Sequence, residues 1–275
     1  MKKIFIILVA LLPLFQGVKA QEEVRVNSFG LNWGMGNLMR QDLTTSPFVH
    51  KDWSPVNMQL VYERSKKLDQ QASLKFGNYS PRIGESFIFN SFYNGEETTL
   101  PHSFKMIDIN YAIGKSFIEQ EKWKFVLGGK SKNHISASDY NFGPSGPSPL
   151  FIAFGLDIWL NIRFDLNEKH YFISNVSLPV FSYIYRAPYL AQDDKLFQNI
   201  YSHKPLQELA NRIKDGQVQS WGTSQSFDFD LSYGYALNEK LDIGCMYLLS
   251  LNFNQTPTNF SQIENVFYIS GKFKF

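Results

Sequence analysis

Apolar and polar residues alternate with a period of two along much of the chain, most clearly over its last eleven residues. One face there carries Phe267, Ile269, Phe273 and Phe275, and the other carries Tyr268, Ser270, Lys272 and Lys274. A period of two is typical of a β-strand with one apolar and one polar face. The chain therefore ends on a predicted two-faced strand whose last residue is aromatic.

The same alternation predicts about ten strands. They span 24–33, 56–65, 71–78, 104–115, 123–130, 151–164, 171–185, 226–236, 241–253 and 266–275. Pro179 lies inside the seventh and leaves its register open, because proline lacks the backbone N–H that a strand ladder uses. Eight or twelve strands remain alternatives.

The connections fall into two alternating kinds. Four are short and charged, at 66–69, 119–122, 167–169 and 238–240, and five are long, around 34–55, 79–103, 131–150, 186–225 and 254–265. This asymmetry and the final strand resemble bacterial outer-membrane β-barrels. The resemblance implies an all-β, antiparallel transmembrane barrel with periplasmic turns and extracellular loops. It also implies contact with outer-membrane lipid, and recognition of the last strand by the barrel-assembly machinery.

The start of the chain indicates export. Lys2 and Lys3 precede an apolar run over 4–14, and Val18-Lys19-Ala20 completes the pattern of a signal peptide cleaved after Ala20. An uncleaved anchor is the alternative, although the run is too short for a spanning helix. We expect residues 21–275 to form one barrel domain in the outer membrane. A single cysteine, Cys245, excludes an internal disulfide and, because it lies far from the cleavage site, an N-terminal lipid.

Composition supports a membrane barrel over a periplasmic enzyme. Aromatic residues make up 16% of the chain, yet its mean hydropathy is slightly negative. Alternating lipid-facing strands give much apolar surface without a long apolar run. A secreted β-sandwich could share this composition, and only the layout of strands and loops favours the barrel. The net charge of +2 decides nothing, but export argues against a nucleic-acid partner.

If the polar strand faces line the lumen, they place a balanced set of charges inside it. The predicted lumen residues are Glu63, Asp108, Asp157, Asp228, Asp230, Asp242, Arg25, Lys75, Lys124, Arg163, Lys272 and Lys274. A narrow barrel is largely filled by its side chains, and unpaired buried charges are costly. We therefore expect a salt-bridged plug, with Asp108, Asp157, Arg163, Asp228, Asp230, Asp242 and Lys272 as its network. Asp228 and Asp230 together suggest a metal or catalytic pair, but a neighbouring cation is the simpler partner, so we expect no metal and no cofactor.

The third long loop carries the sharpest candidate for chemistry. His134 and Ser136 share a face, and an imidazole beside a hydroxyl begins an acyl-transfer site. The pair resembles the His-Xaa-Ser of outer-membrane phospholipase A and the lipid A deacylases. That resemblance implies a serine-type lipid hydrolase, in which Asp139 or Asn141 would have to substitute for the family's third member. Ala137 departs from the family's asparagine, and the alternation points both side chains into the lumen rather than toward the bilayer.

Two other loops offer further hypotheses. His50 and Asp52 resemble the His–Asp pair of the omptin proteases, although no Asp-Xaa-Asp stands at an extracellular strand end to complete that site. In the fourth loop, 205–214 has helical periodicity with a proline at its first turn. Leu206, Leu209 and Ile213 share one face, so this helix is expected to cap the barrel mouth or dock a partner.

The leading hypothesis is a plugged outer-membrane barrel that binds a partner or ligand at its aromatic-rich loops, or belongs to an outer-membrane assembly. A lipid hydrolase using His134 and Ser136 is the second hypothesis. A narrow solute channel is the third, and it requires the lumen charges to line an open path.

Overall fold

β-Strands account for most of the chain that the computed structural model describes, which is 26–81, 87–91, 95–99, 102–139, 150–186 and 204–275. The elements are β1 (Val26–Asp42), β2 (Ser46–Ser65), β3 (Asp69–Tyr79), β4 (Phe87–Ser91), β5 (Gly95–Thr99), β6 (Ser103–Glu119), β7 (Trp123–Asp139), β8 (Leu150–Asp165), β9 (His170–Arg186), α1 (Pro205–Lys214), β10 (Gln217–Ser220), β11 (Ser224–Ala236), β12 (Leu241–Asn254) and β13 (Phe260–Lys274). No helix in these ranges is long and apolar enough to cross a membrane. The predicted signal peptide, 1–20, and Arg25 lie outside them.

Ten of these strands form a closed antiparallel barrel, as predicted. The ring runs β1, β2, β3, β6, β7, β8, β9, β11, β12, β13, and β9 joins both β8 and β11. β13 pairs back onto β1, from Lys274 opposite Ser28 to Phe260 opposite Asp42. β10 pairs with the far part of β9 ahead of β11, and β4 and β5 form a separate hairpin.

The strands reach further into the predicted long loops than the alternation indicated. The loop predicted at 34–55 is a β-hairpin whose turn is 43–45, and β7 continues through His134 and Ser136 to Asp139. β13 likewise begins at Phe260, inside the loop predicted at 254–265. We call the long-loop end of the barrel the outer end and the short-turn end the inner end. At the outer end the wall is therefore ordered strand rather than loop.

The wall has the two faces that the alternation predicted. Along β13, Ile269 is 67% exposed on the outside, whereas Tyr268 is fully buried inside. A strand of 17 residues such as β1 spans about 43 Å along the barrel axis at a tilt of roughly 40°. The apolar band of an outer-membrane barrel is about 25 Å tall. The outer end consequently rises beyond that band.

Two facing glycines let neighbouring strands come unusually close. Gly114 on β6 stands opposite Gly128 on β7, and a Cβ added to Gly128 would lie 2.0 Å from a carbonyl oxygen of β6. Inside the wall at this level, the Trp159 indole packs against Ala112 and Val126. Glycine at such positions permits the sharp curvature that closes a small barrel.

Candidate functional site

A chain of buried polar side chains crosses the lumen; we call it the central network, formed by Lys75, Tyr79, Asp108, His134 and Glu264. The Lys75 ammonium donates to Glu264 at 2.6 Å and to Asp108 at 2.8 Å. The Tyr79 hydroxyl donates to the other oxygen of Glu264 at 2.6 Å, and His134 Nδ1 lies 2.6 Å from Asp108 Oδ1. All five are at most 6% exposed. Because β7 and β13 are five places apart in the ring of ten, the network joins opposite walls.

An arginine lies inside the lumen next to this network, toward the outer end. The Arg40 guanidinium lies between two aromatic rings, 5.0 Å from the centroid of Phe104 and 4.9 Å from that of Phe260. It donates to the Ser136 hydroxyl at 2.7 Å and to the Gln262 amide oxygen at 3.3 Å. Cation–π contacts of this kind are strongest when desolvated, and Arg40 is 1% exposed. Phe104, Arg40 and Phe260 therefore form a packed layer, which we call the plug layer.

A second arginine ties the outer end together. Arg186 at the end of β9 forms an ion pair with Asp42 at the end of β1. It also donates to the backbone carbonyls of Thr256, Thr258 and Asn259, in the turn before β13. The planar guanidinium of arginine can donate to several acceptors at once in this way, which the ammonium of lysine does less well. This contact holds the last turn of the chain over the lumen.

Beside the plug layer lies a group that we call the mouth cluster: Ser46, His50, Asp52 and His102. An irregularity in the β1–β2 ladder bulges out residues 47–49, which brings the Ser46 hydroxyl to 3.0 Å from His50 Nε2. His102 Nε2 lies 2.8 Å from Asp52 Oδ1, and the two histidine rings are 4.3 Å apart. A hydroxyl beside an imidazole is the start of a nucleophile–base pair. Ser46, however, is only 3% exposed, so no substrate reaches it in this conformation.

Toward the inner end, one carboxylate gathers two lysines. Asp228 accepts from Lys132 at 2.7 Å, from Lys130 at 3.2 Å and from the Ser250 hydroxyl at 2.7 Å. Asp157 stands opposite Lys130 across β7 and β8 and is 2% exposed. Lys130 was the last residue of the fifth predicted strand and Lys132 lay beyond it in the predicted loop, and neither lysine was predicted to be a lumen charge.

The inner end of the lumen carries three further ion pairs. Glu63 accepts from Lys272 at 2.8 Å, and Asp242 lies 2.7 Å from the Lys274 ammonium. Lys124 similarly pairs with Asp69 at 2.8 Å. These pairs are more exposed than the central network.

Among the described residues, Asp230 and Arg163 do not pair with a charged residue on a neighbouring strand. Asp230 accepts a hydrogen bond from the Asn175 amide at 2.8 Å. Arg163 pairs with Asp165, two residues along the same strand, and its guanidinium lies 4.4 Å from the ring centroid of Tyr171. All seven members of the predicted lumen network thus point inward, but the six that form the bonds described here do so in several local groups rather than one.

Two cavities of about 80 Å³ and 50 Å³ occupy the lumen, and both are lined by Gln59, Gln71 and Asp230. Neither is lined by Arg40 or Phe104. Each can hold a few water molecules, and neither extends through the plug layer.

The structure separates the predicted catalytic residues by their partners. His134 and Ser136 both face the lumen, in agreement with the alternation, but His134 bonds Asp108 whereas Ser136 bonds Arg40. Asp139 is exposed on the outer face of β7, so it does not join them, and the alternative third member, Asn141, lies outside the described residues. Neither member of the pair faces the bilayer.

The omptin-like pair is also divided. His50 and Asp52 share the inner face of β2, but Asp52 bonds His102, which sequence analysis did not single out. No group of three or more His, Cys, Asp or Glu side chains suited to hold a metal occurs in the part of the chain the structure describes.

Several structurally central residues were not predicted. Arg40, Asp42, Arg186 and Glu264 all lie in stretches that were predicted to be long loops, whereas the structure places them in β1, β9 and β13. The sequence did contain an indication of these positions, because polar residues continue at every second position, on the inward face of each strand. Arg40 and Asp42, for example, lie on the same face of β1 as the buried Leu38.

No protein-family model matches the chain, and no curated protein matches its sequence. Among solved structures, it is similar to the outer-membrane protease OmpT of Escherichia coli, at 7% identity and a TM-score of 0.49, over 95% of this chain and 100% of that one. It is also similar to Neisserial surface protein A, at 12% identity and a TM-score of 0.36, over 90% and 97%. A third is the toluene transporter TodX of Pseudomonas putida, at 8% identity and a TM-score of 0.28, over 91% and 89%. The chain itself is a closed ten-stranded barrel with an apolar outer wall, which is the fold of an outer-membrane β-barrel.

Proposed function

We propose that this protein is a plugged barrel of the bacterial outer membrane that acts at the cell surface, binding a partner through its outer-end loops or belonging to an outer-membrane assembly. The plug layer is the observation that carries the proposal. Phe104, Arg40 and Phe260 pack together inside the lumen beside the central network, and we expect this part of the barrel to pass no solute. This expectation favours a role at the outer-end loops over a role as a channel.

The outer wall supports the membrane location. Large apolar side chains project outward from successive strands and are highly exposed in the isolated chain, among them Trp33, Phe267 and Ile269 at 55–67%. A soluble protein seldom exposes so extended an apolar surface. Acyl chains of the membrane would cover it.

Conductance in planar bilayers tests the plugged lumen. We expect the refolded wild-type chain to insert without discrete current steps, because the plug layer and central network cross the lumen. Steady single-channel steps from the wild type would overturn the proposal and favour the channel.

The lipid hydrolase remains testable through Ser136. Mass spectrometry of outer-membrane lipids incubated with the barrel or with Ser136→Ala should give identical profiles, because the Ser136 hydroxyl accepts from Arg40 and is fully buried inside the barrel. Deacylated lipid produced by the wild type alone would replace the binding proposal with an acyl hydrolase.

The surface role is tested on native membranes. We expect deletion of residues 187–203, in the fourth long loop, to abolish a crosslinked complex that forms on intact cells, while Ser136→Ala retains it. Electrophoresis after crosslinking reports the complex, and resistance to added protease reports barrel folding. A folded deletion variant that keeps every crosslink would contradict a role for this loop.

A further inference from the structure

The helix α1 lies against the outside of the barrel wall rather than over its mouth. Ile213 packs against Ile152 and Tyr185, with Ile135 and Leu150 beside them. These wall residues alternate with inward-facing neighbours such as His134 and Phe151, so they project outward. The expectation that this helix caps the mouth is therefore corrected.

Close contacts fix the end of the helix to the wall. The Tyr183 hydroxyl on β9 donates to the Ile213 carbonyl at 2.6 Å. Gly216, just after the helix, approaches the same ring so closely that an added Cβ would lie 2.5 Å from it. The C-terminal turn of α1 is thus attached to β9, at a height set by Tyr183 and Tyr185.

That height is immediately next to the lipid-facing surface. Along β8, the outward residues below Ile152 are Phe154, Leu156 and Ile158, which are 36–45% exposed, whereas Ile152 is 2% exposed. Two residues of a tilted strand separate Ile152 from Phe154, which is about 5 Å along the barrel axis. The C-terminal turn of α1 consequently lies just beyond the end of the apolar belt.

The apolar face of α1 is only partly used by the wall. Leu206 and Leu209 share a stripe with Ile213, yet Leu206 is 82% exposed and Leu209 is 39% exposed. On neighbouring β10, Val218 is 72% exposed beside the buried Gln219, and it pairs with Tyr183. Leu206 is more exposed than Ile269 on the lipid-facing side of β13 at 67%. An apolar stripe left open at this level needs a cover.

The charges on α1 suit a phosphate-bearing cover. Lys204 and Lys214 are exposed at the two ends of the helix, and Arg212 pairs with Glu208 one turn earlier in the helix. Amphipathic helices that lie in a membrane interface combine such an apolar stripe with flanking basic residues, whose long stems let the ammonium groups reach lipid phosphates.

We propose that α1 and the adjoining β10 form a membrane-interface platform, with Leu206, Leu209 and Val218 inserted among the phosphate-bearing headgroups of the outer leaflet. This inference rests on the proposed insertion of the barrel in the outer membrane. It assigns the helix to lipid, and not to the barrel mouth or to a soluble protein partner.

Site-specific fluorescence tests the depth of the helix. In a Cys245→Ala background, Leu206→Cys would carry an environment-sensitive dye in the full chain, refolded into phosphatidylcholine–phosphatidylglycerol vesicles. Asn211→Cys, on the opposite side of the helix, is the matched control, and Ile269→Cys reports the lipid belt. We expect shallow spin-labelled lipid to quench the dye at 206 several-fold more than at 211, and aqueous iodide to do the reverse.

Two failures are distinguishable. If the dye at 269 is quenched by lipid but that at 206 is quenched by iodide like its control, α1 is not at the interface and the barrel proposal stands. If the dye at 269 is also reached by iodide, the barrel has not entered the membrane and both proposals fail. Protease resistance of each variant identifies chains that did not fold.

Discussion

Replacing Lys75 by methionine should destabilise the barrel more than any exposed lysine replacement. Lys75 is 5% exposed and is the cation that directly contacts both Asp108 and Glu264. Methionine keeps much of the side-chain volume but leaves two buried carboxylates facing one another without it. Breaking one buried ion pair costs about 3–5 kcal/mol, and part of that cost is offset here because Tyr79 and His134 still donate to the carboxylates. We expect a loss of about 3 kcal/mol in the free energy of unfolding, about a hundredfold in the equilibrium constant.

Lys272 provides the matched control. Lys272 forms one lumen ion pair, with Glu63 at 2.8 Å. The Lys272 side chain is 21% exposed and the Glu63 side chain is 30% exposed. Exposed pairs contribute about 0–1 kcal/mol, so Lys272→Met should change stability little. The assay is guanidinium unfolding of barrels refolded into lipid vesicles, followed by tryptophan fluorescence and checked for reversibility.

A triple variant separates charge from packing. Lys75→Met combined with Asp108→Asn and Glu264→Gln removes the cation and both negative charges, and it should recover more than half of the lost stability. Equal losses for Lys75→Met and Lys272→Met would refute the reasoning, as would a triple variant no more stable than Lys75→Met alone.

Two other variants examine the plug layer and the curved wall. Arg40→Ala should produce discrete current steps in planar bilayers where the wild type gives none, because it removes the group packed between Phe104 and Phe260; a folded variant that stays silent would show that the central network alone seals the lumen. Gly128→Val should prevent folding to a protease-resistant barrel, because a Cβ there would lie 2.0 Å from the Ile113 carbonyl oxygen; a variant as resistant as the wild type would contradict the close approach of β6 and β7.

The alternation of apolar and polar residues predicted the strands well only within the part of the barrel wall that faces lipid. Within the lipid belt an outward residue must be apolar and an inward one is polar, so the pattern along β8 and β13 is regular. Beyond the belt the outward positions are free to be polar, as at Asn37, Gln41 and Lys51, and the period of two disappears. That is why the outer halves of β1, β2 and β7 were assigned to loops.

The partners inside the lumen could not be predicted from spacing alone. His134 and Ser136 are two apart and do share a face, yet their bonds go to Asp108 and Arg40, which lie 26 and 96 residues away. Which side chains meet depends on strand register and on the curvature of the whole ring. The face of a strand on which a residue lies follows from its local sequence, whereas its bonding partner depends on the fold of the whole barrel.

The central network has a consequence for how the chain assembles. Lys75 and Glu264 are separated by 189 residues, and Arg40 and Gln262 by 222. Contacts between such distant segments form late, since the entropy of closing the intervening chain must be lost before they stabilise anything. Until β13 meets β1, Lys75 lacks Glu264 and Arg40 lacks Gln262. Completion of the ring and satisfaction of the interior are therefore a single cooperative event, in which a misregistered last strand would leave charges unmatched and would be disfavoured before the barrel is sealed.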